Sequence, residues 1–101
     1  MNFGLREDDT KFITEKIAQF EEIKKAVIFG SRAKGNYKQG SDIDIAIFGD
    51  SISFGTVARL HTILEEESPM PYLFDIVNYE TISNKDLKEH IDRVGKVVFE
   101  R

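Results

Sequence analysis

Residues 26–48 read AVIFGSRAKGNYKQGSDIDIAIF, and the order of residue types in this stretch decides the fold. Ala26-Val27-Ile28-Phe29 is short, β-branched or aromatic, and ended by Gly30, the pattern of a strand covered on both faces. Ser31 to Lys34 reads as a short helical turn, and Gly35-Asn36 and Gln39-Gly40-Ser41 are turn formers. They lead into a second strand, Asp42 to Phe48, in which apolar residues alternate with the rest. Because strand side chains alternate faces, Ile43, Ile45 and Ile47 point one way while Asp42, Asp44 and Ala46 point the other. The two carboxylates are therefore neighbours on one face.

Upstream, Asp8, Asp9 and Thr10 offer N-caps for a helix whose Ile13, Ile17 and Phe20 recur at i, i+4 and i+7, with Phe12 widening the stripe. Downstream, Gly49 to Gly55 reads as a loop, and Val57, Leu60 and Leu64 mark a helix ending near Ser68-Pro69. A third strand follows at about Tyr72 to Asn78, and the helical segment before it implies a crossover. Asn84 can cap a last helix with Leu87, Ile91 and Val94 inward, and Val97-Val98-Phe99 adds an edge strand. The expected fold is a mixed α/β (α+β) domain: a small sheet of three or four strands flanked by helices. No repeat, low-complexity segment or internal boundary divides the chain, so residues 1–101 are expected to form one domain.

Composition narrows the function. Hydrophobic residues are 41% and charged residues 32%, a balance that predicts a folded globular chain rather than a disordered one. There are no cysteines, which excludes a disulfide framework, a zinc-thiolate site and a thiol nucleophile. The N-terminus has no apolar signal-like region and no window approaches a bilayer span, so a soluble, cytoplasmic chain with no membrane partner is expected. The net charge of −4, with no long basic run, argues against a long nucleic-acid duplex as a partner.

Two carboxylates spaced i, i+2 on a strand lie ~6–7 Å apart at the backbone, near enough for their oxygens to converge on hard cations. Taken alone, Asp42-Ile43-Asp44 is a weak signal, since one face of a strand is often merely solvated. The Gly30-Ser31 step from a buried strand into a helical turn presents N–H groups and a hydroxyl suited to phosphate oxygens, or simply caps a helix.

Together the two halves, Gly30-Ser31, ten intervening residues and Asp42-x-Asp44, are similar to the G-S-x10-D-x-D signature of the nucleotidyltransferase superfamily that resembles DNA polymerase β. The string GSRAKGNYKQGSDIDIAIF resembles the short prokaryotic members called minimal nucleotidyltransferases, with Ala33, Gly35 and Ser41 also fitting. This resemblance implies the palm-like nucleotidyltransferase fold and a third carboxylate on a neighbouring strand, supplied by Asp75 within Leu73-Phe74-Asp75-Ile76-Val77. An unpaired acid on a buried strand needs a cation or a hydrogen-bonding partner, and a salt bridge to lysine or arginine would serve equally well.

By the same resemblance, Asp42 and Asp44 would ligate two magnesium ions and Asp75 only the catalytic one. Gly30 and Ser31 would hold the phosphates of ATP. The implied activity is transfer of a nucleoside monophosphate, AMP from ATP, to a hydroxyl. The implied partner is a small helical HEPN toxin, held in a hetero-oligomer and silenced when its tyrosine is modified. The alternative is a nucleotide-binding module that neutralises its partner by occlusion without turnover. Arg32 and Lys34 would either neutralise the triphosphate or stand as plain surface charges. Tyr37 suits loop packing or stacking on a base, and His61 and His90 read as surface or boundary residues away from the acidic pair.

Overall fold

The computed structural model describes residues 3–35, 42–67 and 72–101. Its elements run α1 Glu7–Ala18, β1 Lys25–Phe29, α2 Gly30–Lys34, β2 Ile43–Phe48, α3 Phe54–Glu66, β3 Phe74–Asn78, a 3-10 turn Tyr79–Thr81, α4 Lys85–Val94 and β4 Lys96–Glu100. The strands form one mixed sheet in the order β3-β2-β1-β4. β1 is antiparallel to β2 and β4, whereas β2 and β3 are parallel and joined by the α3 crossover. The expected α+β sheet flanked by helices is therefore observed, with four strands and β4 at an edge. The expected turn at Asn36, the loop with Tyr37, Gln39, Gly40 and Ser41, and the loop with Pro69 and Pro71 lie outside the described residues.

Alternation divides the core into two layers. Ala26, Ile28, Ile43, Ile45, Ile47, Phe74 and Ile76 face α1 and α3, where Ile13, Ile17, Leu60 and Leu64 are almost wholly removed from water. At ~25 cal/mol per Å² of apolar surface this layer supplies most of the driving force for folding. The opposite face carries a thinner cluster, Val27, Phe29 and Ala46 beneath Ile91 of α4, with Leu87 and Val94 packed beside it. One face of the sheet is thus a core, and the other is shared between packing and chemistry.

Helix ends follow local rules with one revision. Helix α1 starts at Glu7, earlier than the Asp8-to-Thr10 caps proposed from the sequence, and Asp9 sits inside it, accepting a hydrogen bond from the Arg6 N–H at 3.2 Å. An acid three residues into a helix satisfies an otherwise orphaned amide as well as a true cap does. Ser53 caps α3 through Thr56 N–H at 3.1 Å, and Asn84 caps α4 through Asp86 and Leu87 N–H at 2.9 and 3.1 Å. Helix α2 is stopped by Gly35, whose φ of 85° lies in the left-handed region.

A candidate nucleotide site at the acidic edge of the sheet

Register decides which acids meet. Phe29 pairs with Asp44 across the antiparallel β1–β2 ladder, and Asp44 pairs with Asp75 across the parallel β2–β3 ladder. Directly paired residues share a face, so Phe29, Asp44 and Asp75 form one row on the α4 side, and Asp42 precedes β2 by one residue. Asp42 and Asp75 are exposed and Asp44 is half-buried. This corrects the sequence-based view of Asp75 as a buried acid requiring compensation. Strand β3 is an edge strand whose Asp75 position stays open to water, so the acid that carries the desolvation penalty is Asp44 instead.

Burial, and after it the neighbouring Asp75 and Asp42 carboxylates, push the Asp44 carboxyl up to about 6, against a smaller opposing pull from Arg32. Gly30 lies hard against this group. Its φ is +74°, and a side chain there would run into the Asp44 carboxylate. Glycine at this position therefore has two causes, a left-handed backbone and the close approach of β2. The Gly-Ser step and the acidic pair, separated by ten residues in sequence, are thus side by side in space, with Ser31 half-buried in the first turn of α2.

Two residues behave differently from their sequence reading. Arg32, left open as a phosphate-neutralising or surface charge, is 2% exposed and donates to the Phe3 carbonyl at 2.8 Å, with its guanidinium 4.7 Å from the Tyr72 ring centre. It ties α2 to the N-terminal segment, a contact 29 residues away that no local pattern announces. Lys34 is exposed. His90, read as remote from the acidic pair, accepts a hydrogen bond from the Gly30 N–H through Nε2 at 3.2 Å and sets its ring edge-on to Phe29, 6.0 Å between centres. A signal for it did exist, because Leu87, His90, Ile91 and Val94 stand at i, i+3, i+4 and i+7 on α4. His61 instead pairs with Glu65 at 3.0 Å on α3, as a boundary residue should.

The family model described as Polymerase beta, Nucleotidyltransferase matches residues 11–101. The chain belongs to the polymerase β nucleotidyltransferase family. The chain is 36% identical over 74 residues to a Haemophilus influenzae protein named Probable protein adenylyltransferase MntA, covering 72% of this chain and 63% of that protein. It is 52% identical over 42 residues to a Methanocaldococcus jannaschii protein named Putative protein adenylyltransferase MJ0604, covering 42% of this chain and 41% of that one. The chain thus spans less than two thirds of either relative's length.

Solved structures share the nucleotidyltransferase fold. A crystal structure of a toxin-antitoxin with AMP-PNP has a TM-score of 0.76 at 20% identity, covering 91% of this chain and 73% of that one. The tri-AMPylated Shewanella oneidensis HEPN toxin in complex with its MNT antitoxin gives 0.71 at 18% identity, covering 92% and 71%.

Among the described residues no three His, Asp or Glu side chains are gathered closely enough to hold a metal ion as they stand. Like-charged carboxylates have no cause to converge without a cation between them. The donor chemistry nevertheless fits a hard divalent ion. Three carboxylates, two exposed and one half-buried, gather where β2 and β3 begin, and their mutual repulsion is what a cation relieves. Arg32 is expected to matter for stability. Arg32→Met keeps the stem but deletes the donor to Phe3, and a loss of about 1–3 kcal/mol in urea denaturation is expected. Unchanged stability would mean that the buried guanidinium contributes nothing net.

Proposed function

We propose that this chain is a magnesium-dependent protein adenylyltransferase that moves AMP from ATP to a tyrosine hydroxyl of a small helical HEPN toxin, serving as its antitoxin. The observation that carries the reading is the row in which Asp44 stands beside Asp75 while touching the space above Gly30. It brings the Gly-Ser turn and the acids to one place, as phosphate handling and cation binding both require. Residues 1–101 would act as one nucleotidyltransferase domain. The family match, the adenylyltransferase designations of the two relatives and the MNT–HEPN complexes of the same fold support this reading.

Asp42 and Asp44 would hold two magnesium ions, with Asp75 sharing one of them, and Gly30 and Ser31 would hold the terminal phosphates. The ions would supply charge neutralisation at the triphosphate. The acceptor oxygen bonds to the α-phosphorus as the bond to the bridging oxygen of the β-phosphate breaks, and pyrophosphate leaves. Asp75, the exposed end of the row, assists the acceptor hydroxyl in losing its proton. The docked oxygen must approach phosphorus at ~3–3.5 Å, in line with the leaving group.

Two measurements test the reading. Mg²⁺ and ATP together should raise the melting temperature by mass action, while ATP with EDTA should not. An equal shift with EDTA would show that the acids do not act through a metal. In the second measurement a helical HEPN protein encoded beside this chain is co-expressed with wild type or Asp75→Asn and its intact mass is read. A gain of AMP units with wild type alone supports transfer. A stable complex with no added mass in either case supports occlusion without turnover, and no complex counts against both.

A further inference from the structure

Helix α4 is an independent segment, capped by Asn84 and anchored by buried Ile91, yet it reaches the site through a side chain. His90 is half-buried, and its Nε2 accepts the Gly30 N–H at 3.2 Å while the ring rests edge-on against Phe29. The ring nitrogen that accepts this bond is Nε2, which leaves Nδ1 on the far side of the ring. The bond spans 60 residues and lands on the residue at which β1 turns into α2.

Gly30 needs such support. The Asp44 carboxylate excludes any side chain at this position, and its φ of +74° is one that glycine alone adopts without strain. Glycine also loses more conformational freedom on folding than any other residue, so a glycine at the start of a functional turn is the least constrained point of its backbone. A hydrogen bond from a side chain on a separately packed helix fixes the amide there, and with it the positions of Ser31 and of the Gly30–Asp44 approach.

We infer that His90 is a positioning residue for nucleotide binding: its Nε2 holds the Gly30 amide so that the turn bearing Ser31 keeps its place beside Asp44. The inference rests on the nucleotide reading above, since it names what keeps that site assembled. His90 touches neither substrate nor reacting atoms in this role.

The test uses the full chain as wild type, His90→Phe and His90→Gln. Phenylalanine keeps an aromatic ring against Phe29 but offers no acceptor, whereas the Gln amide oxygen reaches close to the position of Nε2. Binding of Mg-ATP is measured by calorimetry at a temperature where all three are folded, and exchange of the Gly30 amide is followed by NMR without nucleotide. His90→Phe is expected to weaken Mg-ATP binding by about 10-fold and to speed Gly30 exchange, and His90→Gln to restore most of both. A purely structural role would lower the melting temperature of both variants without this split. Wild-type affinity in His90→Phe, equal weakening in both variants, or unchanged Gly30 exchange in His90→Phe overturns the inference. Failure of wild type itself to bind Mg-ATP overturns instead the nucleotide reading on which it rests, a result that the Gly30 exchange rates distinguish from the others.

Discussion

Asp44→Asn is expected to lower magnesium-dependent AMP transfer by ~10²–10³-fold while leaving the fold in place and the metal-free chain more stable. Loss of transfer follows from removing the central carboxylate of the Phe29–Asp44–Asp75 row. Gain of stability follows from the proton balance. The folded chain keeps the Asp44 proton up to about pH 6, whereas an ordinary aspartate releases it near 3.8. Between those values the folded state binds more protons than the unfolded state, so stability falls as pH rises through the window and the whole loss is present above it. For a half-exposed group the screened effect is about 1–2 kcal/mol, equivalent to a few degrees in melting temperature. Thermal melts of wild type and Asp44→Asn at pH 4 and pH 7.5, without divalent ions, should differ mainly at the higher pH. Equal transfer by the two proteins would sink the metal-site assignment, and parallel pH profiles would show that Asp44 is not the strained group.

Gly30→Ala should damage both stability and the site. It places an L-residue at φ +74° and drives a methyl group into the Asp44 carboxylate. Backbone strain accounts for about 1 kcal/mol, and the collision raises the total to about 2–4 kcal/mol, with nucleotide binding lost as β2 is pushed away from the turn. A double-mutant cycle separates the two causes. In an Asp44→Ala background the collision is gone, and the Gly30→Ala penalty in urea denaturation should fall to the strain alone. An identical penalty in both backgrounds would mean that the approach of Asp44 to Gly30 is not what demands glycine.

Much of this was legible in the sequence because it depends on short periods. Alternation along Ile43 to Phe48 assigned the two faces of β2, and the apolar spacings at Ile13 and Ile17, Leu60 and Leu64, and Leu87 and Ile91 assigned the inward stripes of three helices. Asn84 is the local cap its sequence position suggested, and the Gly-Ser step followed by the acidic pair marked one end of the sheet as the place for chemistry. These properties reside within a few residues of one another, where backbone geometry alone relates side chains.

What only the tertiary structure decided concerns partners distant in sequence. Strand order puts β3 at the edge, which leaves Asp75 in water and places the desolvation on Asp44, whereas a lone acid in an apolar run pointed to the reverse. Arg32 is buried because the Phe3 carbonyl and the Tyr72 ring arrive from outside its own turn. His90 joins the site because α4 packs on the same sheet face as Phe29 and Asp44. In each case the environment of a polar group is set by which elements close around it, and burial and electrostatics act through space rather than along the chain.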